Sequence, residues 1–230
     1  MGSFTEFDDD TLLLLAENQF NDSKAYYETV KEKLKSKAIV PMRQLCADLS
    51  DKLFEIDNQM NLIPTKMVSR IRRDTRFSKN KNLYRSNVWA MFMRDKNKWR
   101  YKPCMWFEFM PGGYDIGVGL FNCEPAMMEK YRETVLENPK EFRKAVKFAL
   151  DAGAVPDCEC YKKPKSGDIP KDLALYYNAK YIYFIRHSAD LQPLFDGTVL
   201  DELEKTIDAF APMYQFLLKA TEKMTAEKGR

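Results

Sequence analysis

A single histidine, His187, stands in 230 residues. Any Ser-His-Asp nucleophile system would have to use it, and no motif around it points that way. It follows the run "YIYFIR" and reads as a strand-end residue. No stretch approaches about 18 consecutive apolar residues, so no membrane-spanning helix is expected. The opening "MGSFTEFDDD" lacks the basic-then-apolar order of a secretory signal. It also has Glu6 where myristoylation needs Ser or Thr. Cysteines are few and odd in number: 46, 104, 123, 158 and 160. Such a set suits reduced thiols better than a disulfide framework, and a cytoplasmic location is expected. Cys158-x-Cys160 without a histidine or a second pair is a weak zinc signal, so no metal is expected. "GGYDIGVG" lies in a hairpin rather than between a strand and a helix, so it is no dinucleotide fingerprint, and no cofactor is expected. There is no internal repeat and no low-complexity segment.

What is present is a core. Hydrophobic residues make up 45% and aromatics 13%, enough for one domain over 1–230. Charge is unevenly spread. Residues 66–85 hold eight basic side chains and one acid, a net +7 in a chain whose total is +3, which leaves −4 elsewhere. General nucleic-acid affinity through net charge is therefore not expected, while a local anion site stays open.

The apolar patterning divides the chain into a helical segment over about 1–57, a sheet over about 66–121, and helices with one strand over about 124–226. Asp22 or Ser23 caps a helix running to about Lys35, and Pro41 opens another whose Leu45, Leu49, Leu53 and Ile56 recur at helical spacing. "MVSRIRR", "NVWAMFMR", "CMWFEFM", "YDIGVGLF" and "KYIYFIRH" read as strands. Asn138-Pro139 with Glu141 marks a helix start that Gly153 ends. Pro212 is expected to kink or divide the long terminal helix. Helices, then strands, then helices predict an α+β fold: an antiparallel sheet of four or five strands covered by helices, with helical N- and C-terminal segments.

Pro111-Gly112-Gly113 predicts a hairpin. With Gly112-Gly113 as its turn, Phe107, Phe109, Ile116 and Val118 share a core face. The opposite face carries Trp106, Glu108 and Asp115 beside Gly117 and Gly119. Glycines in strands leave room for a ligand or for another backbone. Trp106, Glu108 and Asp115 are candidate pocket lining; the alternative is a tryptophan under a loop and two solvated acids.

In "RIRRDTRFSKNKNLYR", residues 70–85, a strand would turn Arg70 and Arg72 to one face and Ile71 and Arg73 to the other. Cations this dense need carboxylates, a bound anion or full solvation. Arg suits bidentate capture of carboxylate or phosphate, and Lys supplies point charge. Arg70, Arg73, Arg76, Ser78, Lys79 and Lys81 are the candidate anion ligands, with Tyr84 or Trp106 beside them to flank an attached ring. A salt-bridged loop that staples helices to the sheet is the alternative. Ser78-x-x-Lys81 has the spacing of penicillin-recognising enzymes, but no S-D-N or K-T-G partner is present.

This stretch resembles the signature R-I-x-R-D-x-R-F-S-K-D-K-x-P-Y-K of a widespread family of bacterial and fungal conserved hypothetical proteins, a domain of unknown function. Arg70, Ile71, Arg73, Asp74, Arg76, Phe77, Ser78, Lys79, Lys81 and Tyr84 match it. Asn80, Leu83 and Arg85 depart from it, and the strand before "PGG" lacks the family's histidine. The similarity extends from about Asn18 through "YKKPKSGDIPKDLALYYNAKYIYF". It implies a shared single-domain fold and no established activity.

Three functions stay open. The first is binding of a small phosphorylated or carboxylated anion at 70–85. The second is single-stranded nucleic-acid binding, with Phe77, Tyr84 and Trp89 as stacking platforms. The third is a structural or interaction domain without a ligand. No reaction is assigned.

Overall fold

The computed structural model describes residues 2–76, 78–95, 97, 99–121, 123–165 and 167–228. The chain begins with five helices: α1 (Thr11–Asn21), α2 (Lys24–Leu34), α3 (Val40–Asp48), α4 (Ser50–Ile56) and α5 (Pro64–Met67). Ser23 is the cap of α2, its side chain accepting from the Tyr26 N–H at 3.1 Å. A π-helical stretch, Lys35–Ile39, joins α2 to α3. Leu45, Leu49 and Leu53, four residues apart, are fully buried.

One antiparallel sheet follows, with strands β1 (Val88–Phe92), β2 (Cys104–Met110), β3 (Gly113–Leu120), β4 (Val155–Asp157) and β5 (Ile182–Ser188) in the order β1-β2-β3-β5-β4. Helices α6 (Pro125–Glu137), α7 (Pro139–Asp151), α8 (Ala174–Tyr177), α9 (Gln192–Phe195) and α10 (Val199–Lys228) complete an α+β chain. No helix among the described residues is long and apolar enough to cross a membrane.

The membership of the five strands differs from the sequence expectation. "MVSRIRR" is not one of them. It pairs only through single bridges, Val68 with Ala90 and Arg72 with Tyr84. Its place is taken by β4, whose Val155, Pro156 and Asp157 face Ile185, Phe184 and Tyr183 of β5. A three-residue strand containing proline gives almost no signal in a sequence, and an edge is where proline is tolerated. The hairpin turn falls on Pro111 and Gly112, with Gly112 at φ +101° and Gly113 already in β3. This moves the pairing by two residues, so each side chain keeps its face. Phe107, Phe109, Ile116 and Val118 are all buried. Asn138 stands at the start of α7, but its amide donates backward to the Thr134 carbonyl instead of capping. Pro212 lies inside α10 without dividing it, flanked by the fully buried Phe210, Met213 and Tyr214.

The chain forms two compact units, each discontinuous in sequence. The first comprises residues 1–92, 106–115 and 187–204. Its core joins Phe4, Phe7 and Phe109 in a tilted aromatic series, and Phe107 meets the Tyr114 ring edge at 6.0 Å. The second comprises residues 93–105, 116–186 and 205–230. There Phe142 contacts Tyr131, Tyr176 and Phe216, and the buried Arg132 donates to the carbonyls of Tyr177 and Ala179.

Candidate functional site

The basic segment is a two-stranded ribbon with a loop at its tip. The Arg73 N–H donates to the Leu83 carbonyl at 2.8 Å, and the Arg85 N–H to the Ile71 carbonyl at 3.1 Å. Alternation along the first arm buries Ile71 and exposes Arg70 and Arg72, as period-two geometry requires. Arg73 and Arg85, on opposite arms, both line a cleft of 320 Å³. Gln19 of α1, Ser86, Asn87 and Met110 of β2 complete its lining.

The two arginines set the electrostatics of the cleft. Arg85 is half-buried, and its Nε has no hydrogen-bond partner among the described residues. Burial lowers its pKa, the neighbouring Arg73 lowers it further, and Glu108 opposes both. Its guanidinium also lies 5.7 Å from the centre of the Trp89 ring. Arg73 Nη2 donates to Ser78 Oγ at 3.3 Å, which brings that hydroxyl to the edge of the same charge.

The remaining candidates in the loop look elsewhere. Arg76 grips Asp74 through two hydrogen bonds, at 2.9 and 2.7 Å, and holds that exposed carboxyl down to about 2. Lys81 Nζ donates to the Thr75 carbonyl at 3.1 Å. Lys79 and Arg70 are exposed. Tyr84 is 1% exposed and stacks on Tyr27, ring centroids 4.8 Å apart, so it is a core residue. Phe77, a candidate stacking platform, lies outside the described residues.

On the glycine face of the hairpin, Glu108 and Asp115 are half-buried, as is Trp106. Asn87 Nδ2 donates to Glu108 Oε1. Burial raises the Glu108 pKa above its ordinary value; the Asn87 bond lowers it, Asp115 raises it and Arg85 lowers it. Asp115 Oδ1 lies 2.7 Å from His187 Nδ1 at the end of β5. The glycines beside these groups admit a neighbouring backbone. A Cβ on Gly113 would meet the Ser188 carbonyl and the His187 ring, and one on Gly119 would meet the Ile182 carbonyl.

Of the six residues named as anion ligands, the structure brings Arg73 to the cleft and Ser78 to Arg73. Arg85, Ser86, Asn87, Gln19 and His187 were missed. Arg85 carried a signal: it is the last cation of the motif, on the arm opposite that of Arg73. Gln19 carried none, because it reaches the cleft from a helix more than fifty positions away.

A comparison with curated proteins finds no match. The family model described as "Conserved hypothetical protein (DUF2461)" matches residues 10–216, most of the chain and all of the basic ribbon. The protein belongs to the DUF2461 family of conserved hypothetical proteins.

Proposed function

We propose that the cleft between Arg73 and Arg85 binds a small phosphorylated or carboxylated anion. The observation that carries this reading is the convergence of two guanidinium groups on one concave surface, one of them half-buried with an unsatisfied Nε. Burial and the neighbouring Arg73 lower the Arg85 pKa, and an anion in the cleft offsets that penalty. Ser86, Asn87 and Gln19 add neutral hydrogen-bonding groups around the same space. The cleft volume suits a ligand of modest size.

The described loop residues, 74–76 and 78–82, have another role in this reading. Their internal ties, Arg76 to Asp74 and Lys81 to the Thr75 carbonyl, hold the tip of the ribbon in shape. Nucleic-acid binding is the weaker alternative, because Tyr84 is buried and offers no stacking face. A reducing, cytoplasmic setting is part of the same reading, and it would keep the five unbridged thiols reduced.

A thermal-shift panel of phosphates, nucleotides and carboxylates tests the proposal. A binding anion at a hundredfold excess over Kd stabilises the fold by about 2.7 kcal/mol. Arg73→Ala and Arg85→Ala should each remove that gain, whereas Arg76→Ala should keep it. An unchanged melting temperature across the whole panel would leave the ribbon as a structural staple.

A further inference from the structure

Four polar side chains stand in a row on neighbouring strands of the first unit. Asn87 immediately precedes β1, Glu108 is on β2, Asp115 on β3 and His187 on β5. Asn87 is bonded to Glu108, Asp115 acts on Glu108 through its charge, and Asp115 is bonded to His187. One end of this row is the wall of the cleft, since Asn87 lines it. Arg85, which also lines the cleft, is coupled to both. It feels Arg73 on the cleft side and Glu108 on the row side.

Arg85 is therefore a cation that two anions can share. One is the internal carboxylate of Glu108. The other is whatever anion enters the cleft. When Glu108 is ionised, Arg85 is partly neutralised and the field in the cleft is less positive. When Glu108 is protonated, both arginines act on the ligand alone. The charged and titratable groups facing Glu108 are Arg85 from the ribbon and Asp115 from β3, with Asn87 as its neutral donor. Arg73 acts on Arg85, and His187 is in contact with Asp115.

We infer that anion binding in the cleft is proton-coupled: the ligand enters together with a proton on Glu108. The inference rests on the reading of the cleft as an anion site and adds its regulation. The sign follows from linkage. A ligand that binds better to the protonated protein raises the affinity of Glu108 for its proton, and the complex takes up protons from solution. Affinity for the anion then falls as pH rises through the Glu108 titration. Burial already moves that titration upward from 4.5. His187 is half-exposed and meets the row through Asp115, not through Glu108.

Sulfate is the probe, because its charge does not change over the range scanned. Its affinity for the full chain is measured by calorimetry from about pH 5 to about pH 8, in two buffers of different ionisation enthalpy, for the natural sequence, Glu108→Gln, His187→Gln and Arg85→Ala. The natural chain should lose about tenfold in affinity across this range, equivalent to about 1.4 kcal/mol, and take up a fraction of a proton on binding. Glu108→Gln should bind as the natural chain does at low pH, with a flat profile. His187→Gln should keep the slope. Proton uptake by the natural chain carries the test even if Glu108→Gln fails to fold. Sulfate binding without proton uptake overturns the coupling and leaves the cleft reading standing. A slope that survives in Glu108→Gln, or vanishes in His187→Gln, also overturns it. No sulfate binding to any form at any pH overturns the cleft reading itself.

Discussion

Asp22 clamps Tyr84. Its Oδ1 accepts from the Tyr84 backbone N–H at 3.0 Å and from the adjacent Leu83 N–H at 2.6 Å. Asp22 ends α1 in the left-handed region, φ 40° and ψ 36°, a conformation that Asp tolerates better than most residues. One side chain thus ties the first helix to the second arm of the basic ribbon. Asp22→Ala should cost about 1–3 kcal/mol, because it strands two backbone donors. Asp22→Asn keeps an acceptor and should cost less. Urea unfolding of the two variants checks the order.

The hairpin core makes a second prediction. Phe107 is fully buried, and Phe107→Ala should cost about 3–5 kcal/mol. Two glycines should respond differently to alanine. Gly119→Ala drives a methyl into the Ile182 carbonyl of β5 and should cost about 1–3 kcal/mol through overpacking. Gly112→Ala meets open space and pays only for its positive φ, about 1–2 kcal/mol. Thermal denaturation reads all three.

Glu108 has a folded pKa above its unfolded value of 4.5. The folded chain holds that proton more tightly, so this group contributes stability at low pH and loses it as pH rises from 4.5 through the folded value. Glu108→Gln should therefore stabilise the protein at neutral pH, and the gain should vanish below 4.5. Stability curves of both proteins against pH show whether it does. Asp74 has the opposite sign. Arg76 holds it down to about 2, so its small surface contribution is present above 3.8 and lost as pH falls toward 2.

Burial pushes the thiols of Cys46 and Cys104 up to about 12, and that of Cys123 to about 11. The thiolate is the reactive form. Iodoacetamide at neutral pH should leave Cys46 and Cys104 unmodified in the folded chain and label all five cysteines in urea. Mass spectrometry counts the labels, and fewer than five in urea would show a disulfide.

Legibility in the sequence followed the strength of local pattern. The β2–β3 hairpin was readable because strict alternation runs on both sides of a Pro-Gly-Gly turn. The Leu45, Leu49 and Leu53 stripe was readable for the same reason at helical period. Strand β4 was not, being three residues with a central proline and no alternation to detect. The Asp115–His187 contact needs β3 and β5 as neighbours, and no local pattern states which strands are adjacent. The cleft was half legible. The charge density at 66–85 pointed to an anion, but which cations converge depends on the ribbon pairing Arg73 opposite Leu83 and placing Arg85 beside it. Arg76 and Lys81, equally basic on paper, are taken up by acceptors within their own loop.

The side-chain Nε–H signals of the arginines, followed by ¹⁵N-edited NMR during a phosphate titration, test the central claim most directly. Arg73→Lys and Arg85→Lys assign the two signals. Phosphate should shift both of them saturably and together, while the Arg76 signal stays in place because Asp74 already occupies it. Saturable shifts confined to Arg76 and the loop, or no saturable shift at Arg85, would contradict the account.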